Sequence, residues 1–194
     1  GTSVKGVKAG SASVTITADN GIKKSVKIKV VKAPAKVGIS RASATISEMD
    51  TLRLAAAVPT GTQGKITWSS SHPEVATVDE TGFVTAVAPG KTEIIAKAYN
   101  GKQASCALTV MKEPTGVTFG EPKTEQIGEG AKLKKKAELP EDCFGKITYS
   151  SYNPYVAIVN ATTGEVIAKR AGTTRIAATT INRKTGEVFT DTYE

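Results

Sequence analysis

Gly64-Lys65-Ile66-Thr67-Trp68-Ser69-Ser70 returns 81 residues later as Gly145-Lys146-Ile147-Thr148-Tyr149-Ser150-Ser151. Outward from this pair, Pro73, Val75, Ala76 and Val78 recur as Pro154, Val156, Ala157 and Val159. After a one-residue insertion, Gly82, Val84, Ala86, Gly90, Ile94 and Ala96 recur as Gly164, Val166, Ala168, Gly172, Ile176 and Ala178. Toward the N-terminus, Gly10, Asn20-Gly21, Val26, Ile28 and Val30 match Gly90, Asn100-Gly101, Cys106, Leu108 and Val110 at an offset of 80. A fixed period of this length marks a tandem array. The chain divides into residues 1–32, the closing part of a repeat; 33–112, a whole repeat; and 113–194, a nearly whole one.

Within a repeat the periodicity is that of strands. Leu52, Leu54, Ala56 and Val58 alternate with Thr51, Arg53, Ala55 and Ala57, and Thr92, Ile94, Ala96 and Ala98 do the same further on. Period two sends one face to a core and the other to solvent. Ala104, Cys106, Leu108 and Val110 follow Asn100-Gly101, a pair suited to a type I′ hairpin. The last repeat has the longer Asn182-Arg183-Lys184-Thr185-Gly186 in its place. No stretch sustains a helical period. Seven short strands in about 80 residues predict an all-β chain of tandem sandwiches joined by short linkers.

These residues carry a family resemblance. Trp68-Ser69-Ser70-Ser71-His72-Pro73-Glu74-Val75-Ala76-Thr77-Val78-Asp79, with Gly82-Phe83-Val84-Thr85-Ala86 and Gly90-Lys91-Thr92, resembles a bacterial immunoglobulin-like domain of group 2. Tyr149 to Val159, Gly164-Glu165-Val166 and Gly172-Thr173-Thr174 repeat the pattern. Similar modules stand in tandem on intimin and invasin-like adhesins, wall-associated enzymes and some phage virion proteins. The resemblance implies an Ig-like sandwich, an extracellular, cell-surface or virion location, and an adhesive or spacer role.

Composition narrows the chemistry. Of 194 residues, 39% are hydrophobic and 23% charged, as in globular proteins. A single His rules out a poly-His metal site and leaves Ser-His-Asp chemistry to His72 alone. His72 lies in a Ser-Ser-Ser-His-Pro turn, where the next repeat has Asn153, and reads as an exposed turn residue. Asp79-Glu80-Thr81-Gly82 and Asn160-Ala161-Thr162-Thr163-Gly164 lack the carboxylates calcium requires and read as turns. Glu141-Asp142 is a loop pair without the opposed geometry of a glycosidase. We therefore expect no enzyme, no cofactor and no metal. Cys106 reads as a small core residue and Cys143 as a loop residue aligned with Thr62, so no disulfide is expected. The apolar runs are too short for membrane insertion.

The formal charge is +8, of which +6 falls in residues 1–32, with seven Lys against Asp19. No Arg cluster or interleaved aromatics accompany it, so nucleic acid is not an expected partner. Lys132, Lys134 and Lys136 form a solvated strand face that could meet a cell-wall polymer. Lys135 aligns with Leu54 and lays its stem along the core with the ammonium at the rim. Tyr152 and Tyr155 are the candidate contacts for a host surface protein or glycan, while Tyr149 belongs to the core.

The N-terminal segment is expected to hold strands at residues 4–7, 12–18 and 22–30. Their inward set, Val14, Ile16, Val26, Ile28 and Val30, faces a sheet this chain does not contain. A lone hairpin is marginal in water. Its order is therefore expected to need complementation, from upstream residues or from a second copy by strand exchange. Gly1 without a preceding Met reads as an excerpt of a longer chain.

Overall fold

The computed structural model describes residues 4–194. The described residues hold strands and turns but no helix. A separate hairpin comes first: β1 (Gly10–Thr17) pairs antiparallel with β2 (Lys23–Val30), with Val14 opposite Val26 and Ala12 opposite Ile28. Residues 4–7 form no strand, contrary to expectation, and Val4 and Val7 lie exposed. Val4 and Val7 stand three residues apart, so they would fall on opposite faces of a strand and could not share one apolar side.

Nine strands follow: β3 (Gly38–Ile39), β4 (Ser43–Ser47), β5 (Thr51–Arg53), β6 (Ala56–Ala57), β7 (Ile66–Ser70), β8 (Ala76–Val78), β9 (Phe83–Ala86), β10 (Gly90–Ala98) and β11 (Gln103–Met111). One sheet has the order β4-β11-β10-β7 and the other β5-β9-β8, with β3-β6 a short third ladder. Ile46, Ile94, Cys106 and Leu108 from the first sheet meet Leu54, Ala76 and Val84 from the second side in one buried cluster. The run expected as one strand from Leu52 to Val58 is split. β5 pairs with β9, whereas β6 pairs with β3, and Leu54 between them donates to the Gly82 carbonyl.

The hairpin at Asn100-Gly101 also differs from expectation. Ala98 and Lys102 close a three-residue loop, with Gly101 at φ 85° and, among the described residues, only glycines at positive φ. A type I′ turn needs two positive-φ centres; a type I turn ending in a left-handed glycine needs one. Asn100 is freed to donate its side-chain amide to the Pro34 carbonyl at 2.7 Å.

The third repeat supplies β12 (Lys132–Lys134), β13 (Thr148–Ser151), β14 (Ala157–Val159), β15 (Glu165–Ala168), β16 (Ile176–Ile181) and β17 (Val188–Tyr193), in sheets β12-β15-β14 and β13-β16-β17. Their core gathers Phe119, Tyr149, Val166, Ile176 and Tyr193, the Phe119 and Tyr193 rings meeting edge-on at 4.7 Å. The Tyr149 hydroxyl accepts from the Ala137 N–H at 3.1 Å, which satisfies a phenol inside the core. Trp68, its counterpart, is only partly buried and sits between two clusters. Trp68→Ala should accordingly cost about 2–3 kcal/mol, below the range for fully buried large aromatics. Denaturant titration checks this, and a loss under about 1 kcal/mol would remove Trp68 from the core.

Candidate functional site

The connectors are short, and each docks on the sandwich that follows it. Lys32 bridges to Thr62, and Lys112 bridges to Cys143 in parallel fashion. Pro34 and Pro114 are fully buried. A side chain at Gly64 would collide with Tyr99 and one at Gly145 with Pro114, so the backbone there closes tightly over the connector. Asn100 caps the Pro34 carbonyl and Asn182 the Pro114 carbonyl, the same device twice.

The junction between the second and third repeats adds charge. Glu113 is buried, at 1% exposure of its side chain, in the middle of the connector. The Arg183 backbone N–H donates to its Oε2 at 2.7 Å, and the guanidinium donates to both oxygens at 2.6–3.2 Å. The Ser47 hydroxyl donates to Oε1. Arg183 also reaches Asp50 at 2.7 Å, and Lys184 reaches Glu48 at 2.9 Å. The residues 47–50, which join β4 to β5, are thus held by the 182–186 loop of the other sandwich, with the connector glutamate between them. Burial alone would raise the Glu113 pKa, but the Arg183 and Ser47 hydrogen bonds outweigh it and hold the carboxyl at about 2. The paired carboxylates raise the pKa of Arg183.

Reading the sequence for catalytic and metal sites overlooked this cluster. The available signal was departure from the repeat: Glu113 stands where the second repeat has Ala33, and Arg183-Lys184 lengthens a loop that is tight in the second.

The residues singled out from the sequence fall elsewhere. Tyr152 and Tyr155 are exposed at 67% and 76%, on the turn after β13, and the Arg170 guanidinium lies 5.6 Å from the Tyr155 ring centroid. Lys132, Lys134 and Lys136 are exposed, Lys132 facing Glu165 at 3.5 Å. Lys134 and Lys136 border a shallow cleft with Ile147 and Tyr149. Lys135 points inward as aligned, but its ammonium finds partners rather than water. It contacts the Pro122 carbonyl, Glu125 at 3.3 Å and the face of Tyr193 at 5.2 Å. His72 is exposed and meets Glu74 at 3.0 Å. Asp79 accepts from the N–H groups of Thr81 and Phe83, and the Phe83 bond above all lowers its pKa. Among the described residues no group of three or more His, Cys, Asp or Glu is placed to hold a metal. Cys106 and Cys143 are buried free thiols, one in the second-repeat core and one beside the junction.

The model of the bacterial Ig-like domain (group 2) matches residues 34–108. That stretch belongs to this family. The Ig-like virion protein of Serratia phage KSP90 is 37% identical over 123 residues, 59% of this chain and 47% of that protein. The lacto-N-biosidase of Bifidobacterium bifidum is 39% identical over 87 residues, 42% of this chain and 8% of the enzyme. The chain thus spans less than half the length of either relative. Among solved structures, a C-terminal intimin fragment in complex with the intimin-binding domain of its translocated receptor has a TM-score of 0.36 at 19% identity. It covers 83% of this chain and 63% of the fragment. Human protocadherin-24 EC1-2 reaches 0.38 at 14% identity, covering 84% of this chain and 94% of the other.

Proposed function

We propose that this Ig-like chain is a non-catalytic spacer in a bacterial surface, secreted or virion protein, holding neighbouring domains at a set distance and angle. The junction built on Glu113 carries this reading, because buried multidentate pairing resists bending where a flexible linker would allow it. The related stretches support it. One lies in a virion protein and another makes up 8% of a glycan-named enzyme, so the module travels independently of any one chemistry. Residual dipolar couplings test it. A single alignment tensor should fit residues 38–111 and 118–193 of the native chain, and Arg183→Ala should split it in two. Two tensors in the native chain would overturn the spacer reading.

A second reading is recognition of a host protein or glycan through Tyr152 and Tyr155. The observation favouring it is the pair of exposed rings beside Arg170, since exposed aromatics with arginine dominate binding hot spots. If it holds, Tyr152→Ala with Tyr155→Ala abolishes adhesion to host cells while His72→Ala leaves it intact. Undiminished adhesion in the tyrosine double variant excludes it. The Lys132, Lys134 and Lys136 face would serve a wall-polymer contact on the same module.

A further inference from the structure

The third repeat carries a shallow cleft of about 450 Å³ between the end of β12, the start of β13 and the turn from β14 to β15. Lys134, Lys136, Lys146, Ile147, Thr162 and Thr163 border it. Its walls are held by hydrogen bonds. The Thr180 hydroxyl donates to the Lys146 carbonyl at 2.9 Å, and the Tyr149 N–H donates to the Ala161 carbonyl at 3.0 Å. The Asn160 side-chain oxygen accepts from the Thr162 and Thr163 N–H groups at 3.0 and 2.9 Å. All three lysines are exposed, and none makes an ion pair among the described residues. Glu165, opposite Lys134 in the ladder of β12 and β15, is engaged by Lys132 at 3.5 Å.

The second repeat has the same backbone and a different charge. At the matching positions it carries Arg53, Ala55 and Lys65, with Asp79 and Glu80 in the turn, so two basic groups face a budget of two acidic ones. The third repeat has three lysines there, with Asn160 and Ala161 in the turn. Asn160 accepts from backbone N–H groups of its turn as Asp79 does, so the turn keeps its acceptor and loses only the charge. Three like charges thus meet at one cleft whose lining holds no carboxylate. Such a site attracts anions. Its shallowness narrows the choice. A single exposed ion pair contributes little, so a ligand gains appreciably only by presenting several charges at once. Ammonium groups serve phosphate as point charges, and no arginine fork borders the cleft for bidentate carboxylate pairing. Tyr149, which also borders it, is buried in the core and leaves no face free for base stacking. We propose that this cleft binds a phosphodiester-linked polyol, with phosphates on Lys134, Lys136 and Lys146 and the polyol links over Ile147 and the two threonines. The proposal rests on the wall-polymer contact of the lysine face and narrows it to one cleft and one chemistry. The junction at Glu113 takes no part in it.

Titration of synthetic poly(glycerol phosphate) into the 194-residue chain, followed by calorimetry and amide chemical shifts, tests it. Binding at low salt should shift Lys134, Lys136, Lys146 and Thr162 most. Lys134→Gln with Lys136→Gln and Lys146→Gln should weaken it about tenfold, the product of three exposed pairs. Lys23→Gln with Lys27→Gln and Lys29→Gln removes the same charge from the hairpin and should change affinity by less than about twofold. Raising the salt fourfold should weaken binding to the native chain about 10–20-fold, as three contacts to a flexible polyanion require. Equal losses in the two triple variants would show attraction to net charge alone and overturn the proposal. Shifts centred elsewhere in the native chain overturn it without recourse to any variant. So does tighter binding of a single-stranded oligonucleotide or of hyaluronan at matched charge. Loss of binding in Lys132→Gln, with the cleft variant unaffected, overturns the cleft and leaves the strand-face contact standing. No binding by the native chain at low salt removes both.

Discussion

Gly82→Ala is expected to cost about 3–5 kcal/mol, enough to unfold the second-repeat sandwich under mild denaturant. Two penalties act at the same atom. Gly82 has φ 82°, in the left-handed region where a Cβ is strained, and that strain alone is worth about 1–3 kcal/mol. The added Cβ would also lie 2.5 Å from the Leu54 carbonyl oxygen and 2.9 Å from the Trp68 ring. The first of these contacts is with backbone and cannot be relieved by a rotamer change. It sits beside the bond from the Leu54 N–H to the Gly82 carbonyl, which ties the break between β5 and β6 to the turn before β9. Gly164 provides an internal comparison. Its φ is 70°, but the nearest atoms to its Cβ would be Tyr149 ring carbons at 3.0 Å, with the Lys135 carbonyl at 3.3 Å. Gly164→Ala should therefore cost less, about 1–3 kcal/mol, because a ring can shift where a carbonyl cannot. Guanidinium titration followed by Trp68 fluorescence for the first and tyrosine dichroism for the second measures both. Equal losses at the two glycines would refute the steric part of the argument.

How much of this was legible beforehand follows from what a repeat can reveal. Alternation at Thr92 to Ala98 and Ala104 to Val110 identified β10 and β11 with the correct faces, since burial with period two leaves a direct mark on residue choice. The placement of Tyr149 in the core and of Cys106 in an apolar strand position followed from the same register. Alternation could not reveal that Leu52 to Val58 changes partner midway, because both halves point their even residues inward. Nor could Asn100-Gly101 distinguish a two-residue from a three-residue turn, as both place glycine at positive φ. Lys135 shows the limit of alignment: its inward stem was readable, but Glu125 and Tyr193 as its partners were not. The junction lay hidden for a related reason. Its members, Ser47, Glu48, Asp50, Glu113, Arg183 and Lys184, come from three separated stretches that repeat matching treats as irregular loops. Only the deviations at Glu113 and Arg183-Lys184 marked the place.

Arg183→Ala should destabilise the chain by about 3 kcal/mol and uncouple its two sandwiches in a thermal melt. Removing one member of a buried pair leaves the other charge uncompensated, a loss of about 3–5 kcal/mol in a closed site. The lower figure applies because 44% of the Arg183 side chain is exposed, so water can enter where it stood. Glu113→Gln removes the buried charge and keeps one acceptor oxygen, for the Arg183 N–H, while the half-exposed guanidinium retains Asp50 as a partner. It should therefore cost less than Arg183→Ala, and the double variant should cost less than the sum of the two. The pH dependence has a fixed sign. The folded pKa of Glu113 is about 2, below its ordinary 4.5, so its contribution is complete above about pH 4.5 and is lost as pH falls toward 2. Asp191 acts in the same window. Burial opposes its ionisation, but Lys123 and the Phe119 and Thr192 N–H groups bring its pKa to about 2 from 3.8. Lys184, paired with Glu48 at the rim, is 61% exposed and should contribute only about 0–1 kcal/mol. In the native chain the midpoint of denaturation should thus stay level from pH 7 to about 4.5 and fall steeply below it. In Glu113→Gln the fall should be shallower, leaving mainly the Asp191 component. An unchanged acid slope in that variant would show that Glu113 gains nothing from its ionisation, and the junction would then be held by packing around Pro114, the Asn182 cap and the Arg183–Asp50 and Lys184–Glu48 pairs.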